Sequence, residues 1–141
     1  MKINLADVNW AAVLVAGAAA FMLGGLWYSA LFGKLWIRMQ GWSDEKVAQM
    51  KATMSPVKFL FGMLVSYIVL AFALELIVVT INQRGPVAGA CLGSIIWLGP
   101  AGAIGFTTHL ASGKRLGAFL IDAAYQLVAL VTQGVILASW R

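Results

Sequence analysis

Charged residues are scarce in this sequence of 141 residues, of which Asp, Glu, Lys and Arg together make up 11%. Soluble domains carry about 25% charged residues and roughly 45–50% apolar ones. Here hydrophobic residues make up 62%, and the mean hydropathy is +0.89. No stretch outside the apolar segments is long enough to bury a soluble core. The composition therefore excludes an ordinary soluble domain and predicts a single membrane domain over residues 1–141.

Residues that bind metals or form covalent intermediates are also few. The sequence has 1 histidine and 1 cysteine, and their wide separation excludes the usual zinc-site spacings. Cys91 lies inside an apolar run, so we interpret it as a small buried hydrophobic residue. Ser29, His109 and Asp122 supply the residue types of a catalytic triad, but no nucleophile-elbow sequence surrounds the serine. We therefore predict no catalytic residue, no metal and no cofactor.

Four apolar segments each meet the roughly 20 residues that a helix needs to cross a bilayer. They cover residues 8–32, 57–81, 87–110 and 116–140. The first continues past the roughly 7–15 residues of a secretory hydrophobic region, so we interpret it as a retained helix. Ser55-Pro56 and Gly85-Pro86 predict the starts of two helices, because proline favours the first helical position. The predicted fold is an all-α bundle of four transmembrane helices.

The basic residues lie between the apolar segments and not in a stripe with aromatic residues, which argues against nucleic acid as a partner. Most of them fall in the first and third connections, and positive charge favours the cytoplasmic side of a membrane. These residues are Lys34, Arg38, Lys46, Lys51, Lys58, Lys114 and Arg115, against Lys2, Arg84 and Arg141 on the other side. We therefore expect both connections in the cytoplasm and both termini outside, in a bacterial inner (plasma) membrane.

The first connection also predicts a short helix over residues 43–54. Ser43 can cap it, and Asp44 and Glu45 then lie in its first turn, where negative charge complements the helix dipole. Three apolar residues recur at helical spacing, namely Val47, Met50 and Met54. We expect this helix to be amphipathic and to lie on the membrane surface.

Small residues in the first and third segments predict close helix packing, since membrane helices approach one another where side chains are small. They include Gly24 and Gly25 in the first segment, and Gly89 and Gly93 in the third. We therefore expect these two helices to form the packing centre, within one chain or across a homo-oligomer interface. Pro100 removes a backbone hydrogen bond in the third segment and predicts a kink. That kink is either a tolerated bend or a break that lines a cavity.

Acidic residues inside the apolar segments are the best pointers to function, because charge within a bilayer is costly. Glu75 follows Pro56 by 19 residues, about 28 Å along a helix, which carries it to the external interface. We expect Glu75 to snorkel or to pair with Arg84. Asp122 lies about 9 Å from the cytoplasmic start of the fourth helix, deep enough to need a partner.

A group of polar side chains is predicted to converge around Asp122. Gln126 and Gln133 share its helix face, and the cytoplasmic ends of the first and third helices carry further polar residues. The candidates for ligand binding or proton relay are Asp122, His109, Tyr125, Gln126, Tyr28, Ser29 and Thr108. A carboxylate beside the imidazole of His109 could exchange protons near neutral pH. The same groups could equally satisfy one another's hydrogen bonds and only fix helix packing.

Two parts of the sequence carry a family resemblance. GLWYS at 25–29, LFGK at 31–34 and Trp36 resemble the N-terminal signature of the bacterial domain of unknown function 1761 family, uncharacterised integral membrane proteins. IDAAYQLV at 121–128 and GVILASWR at 134–141 are similar to the end of the same family. The sequence departs from that pattern at Ala30, where proline often follows the serine, and at Asp122, where asparagine is common. The resemblance implies a four-helix membrane protein with no established activity, and the second departure favours hydrogen bonding over proton transfer at Asp122.

The predicted function is the binding or passage of a small solute or ion through a cytoplasm-facing polar pocket. The alternative is a structural or partner-binding membrane subunit that transports nothing and whose polar residues serve helix packing. Expected partners are the lipid bilayer, a second copy of the chain in a homo-oligomer, and a small solute or ion. Access to Asp122 discriminates the two functions, because an accessible carboxylate favours a solute site and a fully paired one favours packing.

Overall fold

The computed structural model describes residues 5–113 and 115–141, and over these residues the chain is helical without a strand. The helices are α1 (Trp10–Leu26), α2 (Gly33–Gln40), α3 (Asp44–Thr53), α4 (Pro56–Thr80), α5 (Pro86–Ile96), α6 (Gly102–Ser112) and α7 (Leu116–Ser139). A short 3-10 turn (Leu5–Asp7) precedes them, and two π-helical turns, Trp27–Leu31 and Trp97–Ala101, follow α1 and α5. The prediction of membrane orientation from basic residues uses Lys2 and Lys114, and both lie outside the described residues.

Four helical segments are long and apolar enough to cross a membrane. They are Trp10–Leu31, Pro56–Thr80, Pro86–Ser112 and Leu116–Ser139, which we call the first to fourth spans. Each predicted end lies within about two residues of an observed end, because the hydropathy pattern alone marks where a helix can remain in lipid. The prediction of an all-helical chain with four candidate membrane spans is therefore confirmed.

Local capping chemistry explains where the second and third spans begin. The Ser55 Oγ atom accepts a hydrogen bond from the Lys58 N–H at 3.5 Å, and Pro56 occupies the first turn of α4. Gly85 precedes α5 with a φ of 87°, a conformation that residues with side chains rarely adopt. Pro86 then begins the helix, since its missing N–H costs nothing at that position.

The first connection contains two short helices. The Ser43 Oγ atom accepts a hydrogen bond from the Lys46 N–H at 3.2 Å, as expected of a cap, and α3 begins at Asp44. The sequence patterns do not predict α2, which ends at Gly41 with a φ of 71°, typical of a glycine that terminates a helix. The amphipathic character of α3 and its place on the membrane surface stay predictions.

The fourth span is the packing centre of the single chain. Its helix, α7, contacts α1, α2, α4, α5 and α6. Gly89 and Gly93 of α5 lie against α7, where a Cβ on either glycine would overlap a backbone carbonyl. Gly134 of α7 permits this approach. Other small residues of α7 are buried as well, namely Ala118, Ala123, Ala129 and Ala138. The prediction that the first and third spans form the centre is wrong for the single chain, because their glycines meet α4 or α7 instead.

Gly25 and Cys91 differ in their surroundings from what the sequence predicts, whereas Gly24 packs closely. Gly24 is buried, and a Cβ there would lie 2.8 Å from the Tyr125 hydroxyl oxygen. Its neighbour Gly25 is exposed, and a Cβ there would meet no atom within 4 Å, so Gly25 takes no part in packing within the chain. Cys91 is exposed and not buried, because α5 buries only its glycine-bearing face.

The kink predicted at Pro100 takes the form of a π-helical turn. Because proline has no N–H, one carbonyl in the preceding turn loses its donor, and over Trp97–Ala101 the helix widens so that the Gly102 N–H reaches back to the Trp97 carbonyl. A second π-helical turn ends the first span, where the Phe32 N–H makes the equivalent hydrogen bond at 2.8 Å. Residues from both turns line one cavity.

Candidate functional site

Asp122 lies in the second turn of α7 and is half-buried. Its Oδ1 atom accepts two hydrogen bonds, each 2.7 Å long, from the Tyr28 hydroxyl and the Trp36 Nε1–H. Both donors are neutral, and within the described residues the carboxylate forms no ion pair. The two bonds connect the π-helical turn of the first span and α2 to the fourth span.

Gly33 explains how Trp36 reaches the same carboxylate as Tyr28. A Cβ at Gly33 would overlap the Tyr28 carbonyl oxygen, so only glycine allows α2 to turn back so closely onto the end of the first span. The Tyr28 and Trp36 rings then meet edge to face with centroids 5.6 Å apart. Trp36 is absent from the predicted site, and the glycine between the two aromatic residues is the sequence signal that could have included it.

Four aromatic rings form a continuous set of contacts at this site, which we call the aromatic cluster: Tyr28, Trp36, Tyr67 and Tyr125. The Tyr125 ring lies 5.2 Å from Tyr28 and 6.0 Å from Tyr67 between centroids. The Tyr125 hydroxyl donates a hydrogen bond of 2.9 Å to the Ala20 carbonyl, which holds α7 against α1. Tyr67, from the middle of α4, is also missing from the predicted site, since nothing in the sequence indicates which face of α4 meets α7.

Within the described part of the chain, Ser29, Thr108 and Gln126 form no hydrogen bond with Asp122. The Ser29 hydroxyl donates to the Gly25 carbonyl at 2.6 Å, and the Thr108 hydroxyl donates to the Ile104 carbonyl at 2.9 Å. Each hydroxyl therefore bonds to its own helix, the usual solution for such a side chain in an apolar environment. Gln126 is exposed one turn beyond Asp122.

The expected pair between Asp122 and His109 is not formed. The imidazole instead stacks on the Phe119 ring, with centroids 5.0 Å apart and planes 27° from parallel. The Phe106 ring also stacks on the His109 imidazole, with ring centroids 6.4 Å apart. A direct proton relay between Asp122 and His109 therefore lacks its hydrogen bond.

Two cavities meet at Asp122. The larger, which we call the groove, has a volume of about 1080 Å³ and is lined by residues of α2 and of all four spans. Its wall is mainly apolar, with side chains that include Phe21, Leu60, Met63, Ile96 and Leu130. The smaller, the polar pocket, has a volume of about 270 Å³ and is lined in part by Gln40, Thr108, His109 and Ser112. Gly105, Asp122 and Gln126 line both cavities.

The groove lining contains an acidic side chain without a basic one beside it. Among the described residues that line the groove, Asp122 is the one carboxylate and none is Lys, Arg or His. Within residues 5–113 and 115–141, no group of three or more His, Cys, Asp or Glu side chains is placed to hold a metal ion. The arrangement is therefore suited to a ligand that brings a positive charge or hydrogen-bond donors to the carboxylate.

Glu75 lies in a second polar group with Arg141, which follows the C-terminal end of α7. Asp122 lies near the opposite end of the same helix. The Glu75 side chain is fully buried, and its Oε1 atom lies 2.7 Å from Nη2 of Arg141. The same oxygen accepts the Asn9 N–H at 3.0 Å. The predictions of snorkelling and of pairing with Arg84 are wrong, because the guanidinium of Arg84 instead bonds to Asn82 at 3.2 Å.

Gln133 divides the polar face predicted for α7 into two parts. Its side chain is fully buried, and its Nε2 atom donates to the Tyr67 carbonyl at 3.0 Å, which ties α7 to α4. Asp122 and Gln126, nearer the start of the helix, line the two cavities instead. One part of the polar face therefore serves packing and the other faces open space.

Comparison with protein families gives one match. A family model described as Protein of unknown function (DUF1761) matches residues 11–138, nearly the whole chain. The match confirms the family resemblance seen in the sequence. Comparisons with curated proteins and with solved structures find no significant match.

Proposed function

The chain belongs to the DUF1761 family, whose function is unknown, and on that premise we propose that it binds or passes a small solute or ion at Asp122. The solute occupies the groove and contacts the carboxylate where the groove meets the polar pocket. Passage consists of movement between these two cavities, which share Asp122 and Gln126.

Access to Asp122 is the observation that carries this proposal. A carboxylate that served packing alone would be enclosed by its partners, whereas Asp122 is half-buried and lines two cavities. The Oε1 atom of Gln40, a residue of the polar pocket, is buried and has no hydrogen-bond partner among residues 5–113 and 115–141. The Asp122 carboxylate and the Gln40 Oε1 atom are both hydrogen-bond acceptors in the lining of the polar pocket. Together they favour a solute that supplies hydrogen-bond donors.

The compartment and orientation form part of the proposal. The excess of Lys and Arg in the first and third connections favours a cytoplasmic position for the α7 end that carries Asp122. The polar pocket then opens toward the cytoplasm, and the Glu75–Arg141 pair lies toward the outside. We place the protein in the bacterial inner (plasma) membrane, as a homo-oligomer.

Native mass spectrometry of the protein released from lipid nanodiscs tests this function. The variant Gly25→Leu fills part of the groove, because Gly25 lines it and a Cβ there meets no atom within 4 Å. Gly62→Leu is the matched control, since Gly62 has equally open surroundings on α4 but does not line the groove. We expect a defined molecule, not a lipid, on the wild type and on Gly62→Leu, and its loss from Gly25→Leu. The same spectra report the oligomeric state.

A structural membrane subunit is the second candidate function. It is favoured by the hydrogen bonds of Asp122 to Tyr28 and Trp36, which join three separate helical segments. If wild type and both glycine variants carry only lipid, the solute function is rejected and the polar residues of α7 are assigned to packing.

A further inference from the structure

We infer that the solute of the groove is a hydrophobic organic cation, held by the Asp122 carboxylate and the aromatic cluster. This inference rests on the proposed function, since it names the chemical class of the ligand for the same site. Three independent properties of the groove point to that class: its charge, its aromatic surface and its position in the membrane.

The charge of the groove calls for a cation. Asp122 is the one carboxylate among the described residues of the lining, and none of those residues is a basic side chain that balances it. Its hydrogen-bond donors, Tyr28 and Trp36, are neutral, so they solvate the charge without cancelling it. Because an uncompensated charge at membrane depth is costly, a ligand cation beside the carboxylate is favoured over a neutral or anionic one.

The aromatic cluster favours an organic cation over a bare metal ion. All four of its rings line the groove: Tyr28, Trp36, Tyr67 and Tyr125. The faces of such rings attract quaternary or other bulky cations through their quadrupole, and the attraction grows where water is excluded. Small metal cations require several charged oxygen ligands, and Asp122 supplies the one carboxylate among the lining residues that the structure describes.

The position of the groove favours a ligand with an apolar body. The groove lies between the second and third spans, with Leu60 and Met63 on one side and Ile96 and Ile104 on the other. Within the described residues these two spans make no extensive contact with each other. A molecule that partitions into the bilayer can therefore reach the groove from the lipid, and a volume of about 1080 Å³ accommodates several rings.

The test compares three probes of similar shape and different charge: tetraphenylphosphonium, tetraphenylborate and neutral triphenylphosphine oxide. Their binding is measured by equilibrium dialysis against the protein in nanodiscs of zwitterionic phosphatidylcholine, with empty nanodiscs as the blank. The variants are Asp122→Asn, Gly25→Leu and Gly62→Leu. Asn retains an oxygen that accepts the Tyr28 and Trp36 hydrogen bonds, so this variant removes the charge and keeps the geometry.

We expect the wild type to bind tetraphenylphosphonium roughly tenfold more tightly than either other probe, since ionic and cation–π attraction in a site that excludes water is worth about that much. Asp122→Asn abolishes this preference, Gly25→Leu weakens the binding of every probe, and Gly62→Leu behaves as the wild type. The preference of the wild type among the three probes decides the inference even if a variant fails to fold.

The outcomes separate the inference from the function on which it rests. If the neutral or anionic probe binds as tightly as the cation and Gly25→Leu weakens both, the groove binds solutes but the cationic class is wrong. If no probe binds the wild type above the empty-nanodisc blank, because lipid or a second copy of the chain fills the groove, both the inference and the solute function are rejected.

Discussion

Glu75 and Asp122 are both carboxylates within apolar spans, but the chain surrounds their charges differently. Glu75 is fully buried, with the Arg141 guanidinium 2.7 Å away. Asp122 is half-buried, accepts hydrogen bonds from two neutral donors and lines two cavities. The first charge is neutralised within the chain, whereas the second leaves room for a cation from outside it. The comparison separates an acid that holds helices together from an acid that is suited to a ligand.

The largest expected effect comes from removing the cation that neutralises Glu75. Arg141→Met leaves a fully buried carboxylate without its ionic partner, and such a loss costs about 3 kcal/mol in the free energy of unfolding. Reversible denaturation in mixed detergent micelles measures it. Glu75→Gln combined with Arg141→Met removes the stranded charge as well, and we expect it to recover most of the loss. If Arg141→Met unfolds like the wild type, the pair is not a structural element.

A smaller effect is expected from the corresponding change at the other carboxylate. Asp122→Asn keeps an acceptor for Tyr28 and Trp36, so we expect it to change the free energy of unfolding by less than about 1 kcal/mol. The same denaturation assay measures it beside Arg141→Met. A loss as large as that of Arg141→Met would remove the distinction between the two acids and would support the packing role for Asp122.

The smallest effect concerns a third acid, Glu45, which is fully exposed in the first turn of α3. Its own backbone N–H, and then the Ser43 hydroxyl, hold the pKa of Glu45 below its ordinary value. Because the folded-state pKa is lowered, the contribution to α3 is present above the ordinary glutamate pKa, about 4.3. It is lost as the pH falls through the lowered value.

Hydrogen exchange of the α3 amides at decreasing pH measures this contribution. After correction for intrinsic exchange rates, we expect protection of α3 to fall at acid pH in the wild type and to change less in Glu45→Gln. Equal acid dependence in both proteins would contradict the capping role. The spans serve as the internal control, because Glu45 contacts none of them through a hydrogen bond or ion pair in the described part of the chain.

The pairing of charges shows where prediction from sequence stops. The depth of Glu75 follows from its distance along α4, and that of Asp122 from its distance along α7. Their partners, Arg141 and Trp36, lie 66 and 86 residues away in the sequence. Such contacts depend on which helix faces meet, and several pairings of the spans would satisfy the same hydropathy pattern.

His109 and Gly25 show the same limit of prediction from sequence. Their residue types are typical of the roles predicted for them, a proton-relay imidazole for His109 and a packing glycine for Gly25. In the fold the imidazole stacks on Phe119, and Gly25 faces open space beside the groove. Each role depends on the direction in which the helix face points, and that direction is set by packing against neighbouring helices.

By itself the sequence determined the four candidate membrane spans and their approximate ends, the helix starts at Pro56 and Pro86, and the family. These properties depend on local composition, because a backbone in lipid must satisfy its hydrogen bonds within its own segment. Only the tertiary structure decided that α7 is the packing centre and that the aromatic cluster surrounds one side of Asp122. It also decided that Arg141 neutralises Glu75 while Asp122 is left facing a groove. These properties depend on contacts between distant segments, which small residues permit but whose partners they do not specify.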